Sequence, residues 1–134
     1  MNHTTNYCDT FIVVSPDCPS MEGIVPPKPG TVAAMQYERL MAKPYSMTSD
    51  ELLFGVFADR NEIPAKERGA ARAEFFSKGQ PCMRSSPLVK TYGWGVHHDG
   101  KERVAIYALG SPKYAELAKG KAGTVVAGMR SKRG

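Results

Sequence analysis

The stretch YGWGVHHDGKERVAIYAL, Tyr92 to Leu109, decides the fold. Apolar, β-branched and aromatic residues flank Asp99-Gly100, a strong two-residue turn signal because both residues tolerate positive φ. The pattern predicts a β-hairpin with strands near 93–98 and 102–109. Neighbouring side chains on a strand point to opposite faces, so the pleat splits His97 from His98. A two-residue turn pairs His98 with Lys101, His97 with Glu102, Val96 with Arg103 and Gly95 with Val104. One face then carries His97, Glu102, Val104, Ile106 and Ala108. The other carries Trp94, Val96, His98, Lys101, Arg103 and Tyr107. His97 and Glu102 come within reach of an imidazole–carboxylate contact that favours the charged ring. A glycine bulge would shift the register by one and break that pair.

Working outward, residues 10–14, TFIVV, read as a buried strand. Residues 15–30 contain five prolines in sixteen positions, too many for a helix, and read as a semi-extended loop. A helix is expected from about Thr31 to Ala42, with Ala33, Tyr37, Leu40 and Met41 on one face. Thr48 and Glu51 form the capping box of a second helix, whose buried face is Leu52, Leu53, Val56 and Phe57. Pro64 suits the first turn of a third helix running to about Lys78, with Gly79 as its cap. Ser86-Pro87 opens a short turn of helix ending at Gly93, and Ser111-Pro112 opens a last helix ended by Gly120. TVVAGM, from Thr124, reads as an edge strand or as the start of a basic tail at about 121–134 that is free to be flexible. The result is one α+β domain over residues 1–134. A small, mainly antiparallel sheet, with its hairpin at about 93–109, packs against three or four helices.

A chain of 134 residues can bury a core without disulfides or metals. No apolar run approaches the roughly 18–20 residues of a membrane span, and the N-terminus lacks a secretory pattern, so the cytoplasm is expected. Cys8, Cys18 and Cys82 are odd in number and widely spaced, which argues for free thiols. The net charge of +5 belongs to the end of the chain, because no acid follows Glu116 while Lys119, Lys121, Arg130, Lys132 and Arg133 do. The body is balanced, but no acid occurs between Glu74 and Asp99.

That acid-free window holds the candidate ligand site. The helix start at Ser86, with Arg84, Ser85 and Lys90 around it, would attract a phosphate or carboxylate. No nucleotide-loop signature accompanies it. The candidate catalytic set is His97 as a general acid or base, oriented by Glu102 or paired with Cys82 as a nucleophile. Zinc held by Cys82, His97 and Cys8 or Cys18 has no supporting ligand spacing, so no metal and no cofactor is expected. Trp94, Tyr107, Lys101 and Arg103 have the residue types of a single-strand nucleic-acid face, though such aromatics also build cores.

The segments TNYCDTFIVVSPDCP, PYSMTSDELLFGVFADR, FFSKGQPCMRSSPLVKTYGWGVHHDG and the ending MRSKRG resemble a family of small bacterial proteins classed as a domain of unknown function. The resemblance spans nearly the whole chain. It implies a single-domain cytoplasmic protein and brings no catalytic residues. The residues themselves point first to a non-catalytic binding or adaptor domain for an acidic small molecule or protein. A small enzyme using His97 with Glu102 or Cys82, and a nucleic-acid binder using the basic tail, are the alternatives. No membrane partner is expected.

Overall fold

The computed structural model describes residues 3–121 and 123–130. Strand β1 (Thr10–Val13) is followed by helices α1 (Val32–Ala42), α2 (Ser49–Arg60) and α3 (Arg68–Phe75). Then come the short α4 (Pro87–Lys90), strands β2 (Trp94–His98) and β3 (Val104–Ala108), helix α5 (Pro112–Ala118) and strand β4 (Thr124–Ala127). The sheet order is β3-β2-β1-β4, with β1 antiparallel to β2 and parallel to β4. The expected α+β class with its C-terminal-half hairpin holds. TVVA is a true edge strand, while Lys132 and Arg133 of the basic tail lie outside the described residues. Among the described residues no helix is long and apolar enough to cross a membrane.

The hairpin register corrects the expected one. His97 faces Ala105 rather than Glu102, and His98 faces Val104. The Asp99 carboxylate is the reason. It accepts from the amides of Lys101 and Arg103, each at 2.9 Å, and Asp99 N–H donates to Arg103 O. These bonds hold Gly100-Lys101-Glu102 as a three-residue loop, with Glu102 in the left-handed region at φ 66°. Relative to the two-residue turn, the register moves by three residues. An odd shift exchanges the faces of one strand against the other. His98 therefore joins Val96, Val104 and Ile106 on the face that packs with Ile12, Leu40, Leu52, Val56, Met83 and Leu88 in the main core. His97 joins Phe11, Ala105 and Tyr107 on the face that α5 covers through Tyr114 and Leu117.

Local signals place most helix ends. Thr31 and Ser111 cap α1 and α5, and Thr48 with Glu51 forms the full capping box of α2. The third helix departs from expectation. It begins with a 3₁₀ turn at Ala65–Glu67 and stops at Phe75, short of Lys78, and Gly79 is not its cap. Adjacent positions on a helix diverge by about 100°, so Phe75 and Phe76 cannot both reach α2 from a continuing helix. Here Phe76 is buried, Phe75 packs on Phe54 and Phe57, and Gln80 Nε2 donates to Phe75 O at 2.7 Å. The proline-rich loop is pinned where it crosses the sheet, through Ile24 N–H to Tyr92 O and Trp94 Nε1–H to Ile24 O.

Gly95, in β2, lies under two aromatic rings. A Cβ there would stand 2.4 Å from Phe11 Cζ and 2.7 Å from Tyr114 Cε2. Gly95→Ala is expected to destabilise the fold by about 1–3 kcal/mol through overpacking. A lowered urea midpoint with an unchanged slope checks this, and an unchanged midpoint would contradict it.

Candidate functional site

A cleft of about 290 Å³ opens between α1, α2, the end of α3 and the segment 80–87. Helix α1 contributes Val32 and Gln36, one turn apart. Helix α2 contributes Leu53, Val56, Phe57 and Arg60, whose spacing puts them on one face. Phe75, Pro81 and Pro87 add further apolar wall, and Gln80, Cys82, Ser85 and Ser86 supply polar atoms. Among the described residues no acidic side chain lines the cleft.

Its floor is fixed by a buried polar pair. Ser86 Oγ donates to Gln36 Oε1 at 2.6 Å and accepts from Leu88 N–H at 3.1 Å, tying the cap of α4 to α1. Arg60 is an exposed rim residue, and it makes no ion pair among the described residues. Its neighbour Asp59 is engaged elsewhere, by Arg39 and Arg68. Hydrogen bonds from Arg68 and Arg39 hold the Asp59 carboxyl below its ordinary range. Arg60 thus lines an apolar cleft as a cation without a counter-ion among the described residues.

The sequence-derived ligand residues divide. Ser85 and Ser86 line the cleft, but the Ser86 hydroxyl is already bonded at both its donor and an acceptor position. Arg84 does not line the cleft and reaches instead to Tyr7 and to β4. Its Nε donates to Ala127 O at 2.6 Å, and its carbonyl accepts from Met129 N–H. Lys90, at the end of α4, does not line the cleft.

The three catalytic candidates are not brought together. Cys82 is in the cleft wall, with Sγ 3.2 Å from Tyr7 Oη. His97 lies on the opposite face of the sheet, and Glu102 sits in the hairpin loop. Tyr45, not Glu102, orients His97. Tyr45 Oη is 2.7 Å from His97 Nδ1 and 2.8 Å from Tyr107 Oη. Tyr45 adopts φ 57°, unusual for an aromatic residue, while its backbone N–H bonds Val104 O at the edge of β3. Burial, then the hydrogen bond shared with Tyr107, pushes the Tyr45 phenol up, and burial pulls His97 down.

His98 is the histidine on the side of Cys82, with Tyr7 between them. The Tyr7 and His98 rings meet edge to face with centroids 5.2 Å apart. Burial raises the Tyr7 phenol, reinforced by Cys82 and opposed by Arg84. His98 itself is fully buried, and among the described residues neither ring nitrogen makes a hydrogen bond of normal geometry. Burial, then the charge of His97, lowers His98 to about 4, and poorly aligned backbone hydrogen bonds at Val96 and Thr10 and the charge of Asp99 oppose the shift only weakly. Among the described residues no three His, Cys, Asp or Glu side chains converge as a metal site. Trp94 is buried and lies on the other face from Tyr107, so the two do not share an exposed aromatic surface.

Leu53, Val56 and Phe57, expected in the buried face of α2, line the cleft, with Phe57 exposed, and Arg60 was missed because FADRNE reads as an ordinary charged helix end. The i, i+3, i+4, i+7 spacing of Leu53, Val56, Phe57 and Arg60 was the available signal.

A family model described as "Family of unknown function (DUF6157)" matches residues 2–134. No curated protein and no solved structure matches the chain.

A histidine lowered in the folded state binds its proton more readily when unfolded. Stability is therefore full above about pH 6.5 and falls as the pH drops from there to about 4. His98 accounts for a loss on the order of 3 kcal/mol over that window, and His97 acts in the same direction. His98→Leu is expected to flatten the dependence of the urea midpoint on pH between those limits. An equally steep profile in the variant would contradict the assignment.

Proposed function

The chain belongs to this family of unknown function over nearly its whole length, and from its geometry we propose a small-molecule-binding domain. The ligand is an apolar molecule carrying one acidic group. Its body fills the cleft between α1 and α2, and its carboxylate or phosphate meets Arg60. The observation that carries this reading is Arg60 lining an apolar cleft while making no ion pair, with no acidic side chain in the lining among the described residues. Pockets of about 300–1,000 Å³ with few convergent polar groups are the usual form of small-molecule sites, and this one lies at the lower end. The preference for an acidic ligand follows the charge of the wall, where Arg60 stands without a carboxylate to neutralise it.

Binding accords with the arrangement better than catalysis does. The sheet separates His97 from Cys82, so no base stands beside the thiol in the cleft. Three free thiols fit a reducing compartment, and the ligand is accordingly one met in the cytoplasm.

The test is a thermal-shift and calorimetric screen of hydrophobic monocarboxylates against their primary amides. Carboxylates are expected to stabilise the protein more than the matched amides do. Arg60→Gln is expected to weaken carboxylates roughly tenfold, the worth of one charge-assisted hydrogen bond, while leaving the amides unchanged. If no carboxylate shifts the melting temperature of the native chain, the proposal fails.

A further inference from the structure

A second cleft of about 430 Å³ adjoins the first. Phe57, Phe75 and Gln80 line both. These three residues are thus the wall that the two clefts have in common. From this shared wall we infer that Phe75, held by Gln80, is the residue that sets how long a ligand the first cleft accepts. The inference rests on the reading of the first cleft as a ligand site.

Phe75 is suited to that role by how it is held. It is only partly buried, and helix α3, which carries it, contains no buried residue. Its ring leans on Phe57 with centroids 4.7 Å apart, and Phe57 is itself 39% exposed. The backbone behind it is anchored independently by Gln80 Nε2 on Phe75 O, and the start of α3 by Arg68 on Asp59 and on Ile63 O. The neighbouring Phe76 is the residue that anchors this region, buried with Phe54 and Ala58. Phe75 can thus lose its ring without the helix losing its attachment. Beyond the wall, the second cleft continues along Ile63 and Ala71, with Lys78 and Glu74 as its charged groups. Joining the two would more than double the space open to an apolar tail.

A ligand tail that reaches Phe75 stops there. A longer unbranched tail has to fold back or leave its end in water. Removing the ring lets the tail continue past Phe57 into the second cleft.

The experiment uses a homologous series of straight-chain saturated carboxylates, from butyrate to palmitate, titrated calorimetrically below their micelle concentrations. For the native chain, affinity is expected to rise about fourfold per methylene until the first cleft is full, then to level off. In Phe75→Ala the rise is expected to continue through longer members of the series. Phe75→Trp keeps the wall and should keep the native plateau. Phe75→Leu serves as a milder opening if the alanine variant melts too low to titrate. A plateau at the same chain length in native, Ala and Leu proteins would overturn the inference while leaving the cleft as a ligand site. A native series with no plateau would overturn it as well. If the native chain binds no member of the series, the ligand site itself fails, and the length selector fails with it.

Discussion

The Asp99 carboxylate fixes which face of the hairpin meets the core. By accepting two amides of its own loop, it closes a three-residue connection and sets the pairing of β2 with β3. Every downstream placement depends on that choice. With this register Val96, Val104 and Ile106 all face Ile12, Leu40 and Leu52, and a continuous apolar layer forms under α1 and α2. With the shorter turn, β3 would offer the core Tyr107 and Arg103 in place of Ile106 and Val104. The cost of that exchange, charged and polar groups driven inward without partners, makes the register a property of the whole core. His98 is carried into the core by the same choice, and its ring, without a hydrogen bond of normal geometry, is what the layer concedes in return.

Most of the architecture was legible in the sequence because its signals are local. Thr31, Thr48 with Glu51, Ser86-Pro87 and Ser111-Pro112 start helices through bonds within one turn of chain, and each does so in the structure. The two misreadings were decided by contacts a short window does not contain. The hairpin loop depended on an aspartate side chain competing with the Asp-Gly turn preference. The early end of α3 depended on α2, which offers Phe54 and Phe57 to two consecutive phenylalanines.

The candidate site was legible in part. The segment 82–86 was marked by its charge and its cap, and Cys82, Ser85 and Ser86 do line the cleft. What the sequence hid was the other wall. Arg60 looks neutralised by Asp59 next to it, yet Asp59 is claimed by Arg39 and by Arg68, from two other helices. Likewise Arg84 looks like the cation of the site until β4 supplies a carbonyl to its guanidinium. Which arginine is free is a matter of tertiary pairing.

The position of β1 has a consequence for how the chain assembles. It is the first strand to be synthesised, yet it lies inside the sheet, between β2 and β4. Thr10 pairs with His98 on one side and Thr124 on the other, both from the last third of the chain. The β1 segment therefore has no strand to pair with until β2, Trp94–His98, has left the ribosome. Helices α1 and α2 can form early from their own caps, but the strand they cover must wait. Pairings so distant along the chain close large loops before any contact repays them, which slows folding and prolongs the exposure of Phe11 and Ile12. Birth of this fold is late and nearly all at once, with β4 arriving last to cover the remaining edge of the strand that arrived first.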